Sequence, residues 1–505
     1  MSLANLKSIA ALIDAANVYP LAKITGLQNF ASKNASALWV KREDQQDVFS
    51  FKIRGAANRM SKLSAKERAL GVVAASAGNH AQGIAVSAKH FGVKATIFMP
   101  ITTPEIKTKA VREMGADIEL IGDSYDEAYE VALEFSKSTG AVFIHAFDEV
   151  DVIAGQGTIA KEILWQAPNP LAAIYIGVGG GGLISGIGAY MKTYSKDTKI
   201  IAVEPEGAAT LKTSLLAGKP TALNWVDGFA DGVAVKLIGA RTLEIAKQIQ
   251  PEIILVSNDE ICAAVKLIFE KTRTMVEPAG ALALAGQIKH AQSGAAPKGD
   301  CAVIISGANV NFDRIGHMVE RAELGAGGEI LFAACLPEKP GSFLKFCQSL
   351  GTVAITEFNY RFVDRAAAHV LVGAKVKSEQ DGKLVMDSVR AQDMAVTDLS
   401  NNRLAKQHLR HMVGGRVRAN IPERIYSFTF PERPGALLDF LITLDGRWNI
   451  SLFHYRNHGA STGQVLCGFQ IPNDDGNLLE ESLRNTGFDM QDETDNPAYE
   501  YFLRG

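Results

Sequence analysis

Over the first 320 residues, short apolar runs of strand length alternate with longer stretches in which apolar positions recur at helical spacing. Gly71–Ser76, Ala95–Pro100, Asp117–Ile121, Ala172–Val178, Lys199–Val203 and Cys301–Ile305 predict strands, and Pro104–Met114 predicts a helix. Such alternation predicts βαβ units on mostly parallel sheets, an α/β fold. In sheets of this kind ligands sit beyond the carboxyl ends of the strands, so the residues just after each run are where chemistry is expected.

The pattern breaks at residues 321–328, where three glycines fall in four positions and a linker is expected. Beyond it the runs shorten and an internal repeat begins. Leu336–Phe346 matches Phe430–Phe440, Ile355–Arg361 matches Ile450–Arg456, and Val370–Gly373 matches Val465–Gly468, always at a spacing of 94 or 95 residues. Two related modules are therefore expected, over residues 329–401 and 424–496. Each should open with a strand, a Pro-Gly turn into a helix, and two further strands, a small α+β sandwich.

Composition narrows the picture without redirecting it. With 505 residues, 47% hydrophobic and 21% charged, the chain has room for about three domains with sizeable cores. A net charge of −3 without a basic stripe argues against nucleic acid and anionic membranes as partners. Five scattered cysteines form no Cys-x-x-Cys pair, so neither a disulfide framework nor a zinc site is expected. The first apolar run is broken by Lys7 and Asp14 and reads as a helix rather than a signal peptide. No stretch is long enough to span a bilayer, and the cytoplasm is the expected location.

The stretch Ser50-Phe51-Lys52-Ile53-Arg54-Gly55-Ala56 holds a lysine among apolar neighbours, after a serine placed to cap a helix. Lost solvation and a helix N-terminus both disfavour the charged amine, as a nucleophilic lysine requires. A lysine that snorkels into water is the plainer reading of the stretch alone. Ser76-Ala77-Gly78-Asn79-His80 follows a strand; Asn79 offers an amide to a ligand oxygen, or caps the next helix. His80 reads as a helix residue with a local partner. Gly179-Gly180-Gly181-Gly182-Leu183 lies between a strand and a helix, where backbone amides can close around a phosphate. Gly177-x-Gly179-x-x-Gly182 also fits a dinucleotide fingerprint, with Glu204 placed as a ribose-binding acid, so a nicotinamide dehydrogenase stays open on these residues. Ser306-Gly307-Ala308-Asn309 follows the last strand, and Ser306 offers a neutral hydroxyl or a helix cap.

Together these four motifs resemble the fold-type II pyridoxal-phosphate enzymes, whose catalytic domain has the tryptophan-synthase-β-like pair of open parallel-sheet lobes. Within them, the doubled tail resembles the two ACT-like regulatory modules of the biosynthetic threonine dehydratases. The resemblance covers nearly the whole chain and implies a catalytic domain over 1–320 with pyridoxal phosphate as cofactor. It implies that Lys52, after Phe51, anchors the cofactor and acts as catalytic base. Asn79 would bond the ring's phenolic oxygen, Gly179, Gly180, Gly181, Gly182 and Leu183 would hold the phosphate, and Ser306 would face the ring nitrogen. Ser76, Ala77, Gly78 and His80 would face the substrate. Serine-racemising relatives carry serine where this chain has Ala77, so racemisation is not expected. Their metal site would use Glu204, but the paired aspartate's place holds Thr210, so no metal is expected.

The implied reaction is dehydration and deamination of L-threonine, the first step of isoleucine biosynthesis, in a homotetramer inhibited by isoleucine and opposed by valine. Tyr360, Arg361, Tyr455 and Arg456 lie at repeated strand ends and are candidate effector residues, with Leu437 and Leu441. Alternate packing of Phe358, Tyr360, Phe453 and Tyr455 into the sheet explains the same pattern equally well. A catabolic serine/threonine dehydratase and a non-catalytic amino-acid sensor are the other readings.

Overall fold

The computed structural model describes residues 5–30, 36–325, 329–337, 346, 349–350, 353, 355–362, 367–402, 404–405, 409, 423–431, 440, 443–444, 449–456, 462–471 and 476–503. The chain divides into two compact units, 1–322 and 323–505.

The first unit carries two sheets. In the larger, the strands run in the order Leu27–Asn29, Leu38–Arg42, Cys301–Ile305, Ala173–Gly177, Lys199–Pro205 and Glu252–Val256, with the first pair antiparallel and the rest parallel. In the smaller, Asp117–Leu120, Ala95–Met99, Val72–Ala75 and Val142–Phe143 are all parallel. The central strands are fully buried, which is why their sequences read as unbroken apolar runs rather than alternating ones. Every strand expected in this unit is present within one or two residues of its expected ends, and the expected 104–114 helix spans Glu105–Glu113.

The helix Val150–Gln166 is the spine of this unit, buried along most of its length. A Cβ on Gly155 would come 2.5 Å from Arg54 O, and one on Gly186 would come 2.6 Å from Gly157 N. The helices Lys52–Ser61 and Gly182–Tyr194 therefore cross it at backbone contact, and both bear expected site residues at their starts.

The expected linker is partly helical. The helix Ile315–Gly325 runs through its first five residues, because Met318 and Ala322 bury against the larger sheet's core. Residues 326–328 lie outside the described residues.

In the second unit the repeat becomes two four-stranded antiparallel sheets of one topology. The first is ordered Ile355–Phe362, Ala367–Lys375, Glu329–Pro337, Ala395–Asp398, and the second Asn449–Arg456, Thr462–Gln470, Glu423–Pro431, Asp489–Asp492. Each carries a helix, Glu379–Arg390 or Gly476–Asn485, and a fourth strand that the sequence reading did not foresee. Both Pro-Gly turns lie outside the described residues. Alternation separates the faces: Ile330, Phe332 and Ala334 bury in the first module's own core, while Leu331 and Ala333 join Ile425 and Leu466 in a core shared by both modules. Asn402, which the repeat spacing sets against Asn496, donates from Nδ2 to Asn496 Oδ1 at 3.1 Å.

Candidate active site

Four strand-end loops of the first unit converge. The pairing that joins two of them is a short antiparallel bridge, Ser50 to Gly307, flanked by Phe51 N donating to Ser306 O (3.1 Å) and Ala308 N to Phe49 O (2.8 Å). Phe49 takes a left-handed φ of 54° at this crossing, an uncommon conformation for a bulky residue. Ser50 does not cap the following helix as expected. It is buried, its hydroxyl has no partner among the described residues, and Phe51 holds the cap position with no side-chain bond.

Lys52 is the first residue of its helix and partly buried. Its Nζ donates to Ala146 O at 3.3 Å and lies 5.3 Å from the Phe51 ring centroid. Burial pushes its amine down to about 8, against a smaller upward pull from the Glu277 carboxylate. The next residue after that carbonyl, Phe147, packs on the glycine loop. A Cβ on Gly180 would come 2.3 Å from its ring, and one on Gly182 would come 3.0 Å from its Cα. Gly181 sits at φ 89° and caps the helix Gly182–Tyr194. The carbonyls of this loop are taken, Gly180 O by Thr242 Oγ1 (2.8 Å) and Gly181 O by Ser185 N (3.0 Å). The amides at this helix start have no carbonyl four residues back to bond, so they face outward as an anion cradle.

Asn79 is the first helical residue, and Gly78, not Asn79, takes the cap position. Its Nδ2 donates to Glu277 Oε1 at 2.7 Å and its Oδ1 accepts from Asn309 Nδ2 at 2.6 Å. Ser76 Oγ accepts from Gly78 N at 3.3 Å, and the space above Gly78 is open for 4 Å. His80, expected to face the substrate, instead turns inward. Its Nε2 lies 3.1 Å from Ile144 O, and burial, then the nearby Lys52 charge, push it down to about 3, so the ring is neutral. Ser306 is buried, and its hydroxyl donates to Ala279 O at 3.2 Å rather than capping a helix.

Glu204 is not free to bind a ribose. Its carboxylate accepts from Leu211 N (2.7 Å) and Lys212 N (2.9 Å), satisfying the first turn of the helix Thr210–Ala217. That occupation removes the feature that kept the dehydrogenase reading open.

Residues 17–307 match the family of pyridoxal-phosphate-dependent enzymes, and 320–409 and 415–503 each match the C-terminal regulatory domain of threonine dehydratase. The biosynthetic L-threonine dehydratase of Pasteurella multocida is 46% identical over 96% of this chain and 95% of its own. That of Escherichia coli is 46% identical over 98% and 96%. The chain belongs to the biosynthetic threonine dehydratase family. A solved threonine deaminase, the processed form of isoform 2 from Solanum lycopersicum, superposes with a TM-score of 0.61 at 42% identity, covering 63% of this chain and 88% of that one.

As a member of this family the protein is a pyridoxal-phosphate-dependent lyase, and its residues fit that cofactor. The outward amides suit a phosphate, and a Cβ at Gly179, Gly180 or Gly181 would collide with a neighbour while one at Gly182 would crowd Phe147. Lys52 supplies an amine that burial has made nucleophilic. Two members of the constellation were not assigned from sequence. Asn309 stood inside a quoted motif without a role. Glu277 was missed because it precedes a helix rather than following a strand. The signal was there: Glu277-Pro278 is an acid before a proline at a helix start, where a buried carboxylate can be held.

The candidate effector residues lie on edge strands of the two modules. Tyr360 pairs with Val370 and Arg361 with His369, and Tyr455 with Val465 and Arg456 with Gln464. Leu437 and Leu441 lie outside the described residues.

Proposed function

We propose that this chain converts L-threonine to 2-oxobutanoate and ammonia, with Lys52 as cofactor anchor and base. The observation that carries the reading is the Lys52 amine, pushed down to about 8 and hydrogen-bonded to Ala146 O, one residue before the Phe147 that packs on the glycine cradle. When bound, pyridoxal phosphate supplies an electron-withdrawing ring that acidifies the α C–H of the amino acid it holds. Gly179, Gly180, Gly181, Gly182 and Leu183 hold the phosphate through backbone amides, and Asn79 bonds the phenolic oxygen. Lys52, once free, accepts the α-proton; a value near 8 leaves a useful fraction of neutral amine at physiological pH. The β-hydroxyl would leave as water, taking up a proton equivalent to the one Lys52 accepts, and water would then hydrolyse the released enamine to 2-oxobutanoate and ammonia. Ser306 would face the ring nitrogen. Its single hydrogen now points at Ala279 O, and rotation about Cβ–Oγ frees it for a neutral ring nitrogen. Ser76, Ala77 and Gly78 receive the substrate, and Ala77 supplies no second base on the opposite face.

The test is a purified protein assayed for 2-oxobutanoate from L-threonine beside its visible spectrum. A yellow protein bleached by borohydride, with turnover lost in Lys52→Ala, is expected. A colourless protein that protects reduced nicotinamide would overturn the reading.

The paired regulatory matches support feedback control through the tail; isoleucine as the inhibitor, valine as its opponent and a cytoplasmic homotetramer extend that reading from the resemblance of the doubled modules. Residues 1–320 are then catalytic, and 329–401 and 424–496 regulatory. No helix among the described residues is long and apolar enough to cross a membrane. Removing the chain after residue 325 should leave turnover and abolish isoleucine inhibition; inhibition that persists would refute the regulatory assignment.

A further inference from the structure

The side-chain amide of Asn79 is committed at both ends. The chain of commitment starts at Val48 O, which can only accept and takes a hydrogen bond from Asn309 Nδ2 at 2.8 Å. That bond decides which end of Asn309 is nitrogen. The same nitrogen donates to Asn79 Oδ1 at 2.6 Å, so Asn79 must turn its own nitrogen the other way, where Glu277 Oε1 accepts at 2.7 Å. Each amide orientation follows from the one before it, and the first rests on a backbone carbonyl.

The Asn79 nitrogen carries two hydrogens. Glu277 takes one, and the second is left for a ligand. Two glycines make room for the carboxyl: a Cβ on Gly307 would come 2.5 Å from Glu277 Oε1, and one on Gly232 would come 3.3 Å from it and 3.9 Å from Asn79 Nδ2. Burial, then the neighbouring Asp231 carboxylate, push the Glu277 carboxyl up to about 7, while the Asn79 bond, Lys107 and Arg314 act the other way. Lys52 faces it as the amine that its charge pulls upward. In either protonation state the carboxyl keeps an oxygen able to accept from Asn79.

We propose that Glu277 and Asn309 are positioning residues for cofactor binding, which together lock the Asn79 amide so that its second N–H is presented to the phenolic oxygen of the pyridoxal ring. This rests on the reading of the chain given under its proposed function. Neither residue is assigned contact with substrate; both act through Asn79. An Asn79 free to flip could present its oxygen to the ring oxygen, and holding the productive orientation would then draw on cofactor binding.

The test titrates apoprotein with pyridoxal phosphate and reads the dissociation constant from absorbance or protein fluorescence. Glu277→Leu, which cannot accept a hydrogen bond, should bind about tenfold more weakly, and so should Asn309→Ala. Glu277→Gln, whose amide oxygen can accept, should recover most of the loss. In an Asn79→Ala background, Glu277→Leu and Asn309→Ala should cost nothing further, because the group they act through is gone. Losses that persist undiminished in that background would overturn the proposal, as would unchanged binding by Glu277→Leu. Should Glu277→Leu not fold, Asn309→Ala completes the same cycle. A parent protein that turns over threonine while both variants bind normally overturns this proposal alone. A parent that takes up no pyridoxal phosphate overturns the functional reading with it.

Discussion

Lys52 and Arg54 stand two residues apart on one helix, and their surroundings treat a buried cation in opposite ways. Arg54 meets two carboxylates. Its Nε and Nη2 donate to Glu43 at 2.8 Å each, and Nη1 and Nη2 to Glu162 at 2.5 and 2.9 Å. Lys41 completes the cluster through Glu162 at 2.6 Å and Thr25 O at 2.8 Å. Two cations and two anions meet there and almost every donor has an acceptor. At Arg54 and Glu43 burial is outweighed: Arg54 is held firmly charged, and Glu43 stays below the usual carboxylate range although burial alone would raise it, while Lys41 is still pushed down by burial. Among the described residues Lys52 has one carbonyl at 3.3 Å and no carboxylate in bonding contact, so burial wins and its charge is loosened. The paired cluster fixes where the helix sits. The unpaired amine one half-turn earlier is thereby free to exchange protons and bonds.

Replacing each cation tests that division, and Lys52→Ala should have the largest effect. Turnover should fall by about a thousandfold or more while the thermal midpoint of the apoprotein holds or rises. A large loss of stability instead would mean that Lys52 is structural. Arg54→Met should show the reverse. Leaving Glu43 without a cation in the core, and Glu162 with Lys41 alone, should cost about 3–5 kcal/mol in denaturant unfolding, and a variant that still folds at low temperature should keep cofactor uptake. Arg54→Lys should restore only part of the loss, since an ammonium cannot reproduce the forked contacts.

The pH dependence of apoprotein stability sharpens the same contrast. Glu277, at about 7 in the folded chain against an ordinary 4.5, keeps a proton that the unfolded chain releases, so stability should fall as pH rises between those values. Lys52, at about 8 against 10.5, sheds a proton that the unfolded chain keeps, so stability should rise again between those values. Glu277→Gln should remove its share of the fall, a difference of about 3 kcal/mol above pH 7, leaving the share of Glu204, which burial also pushes up to about 7, and Lys52→Ala should remove the Lys52 share of the rise. Thermal midpoints of parent and variants from pH 4.5 to 10.5 read both, and variant curves that run parallel to the parent's would count against the two assignments. The Arg54 cluster, already matched in charge, should add little slope near neutrality.

The smallest effect expected is at the backbone contact beneath both cations. Gly155→Ala places a methyl 2.5 Å from Arg54 O and 2.7 Å from Gly55 Cα. It should cost about 1–3 kcal/mol as the two helices part, and should raise the concentration of pyridoxal phosphate needed for half-saturation, because Lys52 rides on the displaced helix. A loss of stability without any change in cofactor binding would mean that the Lys52 loop is positioned by its bridge to Gly307 instead.

The sheets of the first unit were legible because buried parallel strands must be apolar on both faces, and their runs stand out between helices. The end of its last helix was not, since Gly325, Gly327 and Gly328 look like a linker while Met318 and Ala322 bury a helix just before them. In the modules, the repeat spacing revealed two copies, but the fourth strand of each is short and polar, with Ala395–Asp398 and Asp489–Asp492 reading like loop. In the site, the glycines, Asn79 and Ser306 announced themselves by their place after strands, and Lys52 by its apolar neighbours at a helix start. Ser50 and Asn79 looked like helix caps by local pattern, and tertiary pairing gave both positions other work.

By itself the sequence determined the two-part architecture and the doubled regulatory tail, and it offered a candidate set of groups for a pyridoxal ring, because hydrophobic period, glycine runs and repeat spacing are readable without the fold. Only the tertiary structure decided which charges are cancelled and which are left exposed to chemistry. Lys52 and Arg54 are equivalent in the sequence, two cations in an apolar stretch. They differ because Glu43 and Glu162 fold back onto one of them, from 11 residues before and 108 residues after, and because Glu277, 225 residues beyond Lys52, bonds to Asn79 rather than to the lysine.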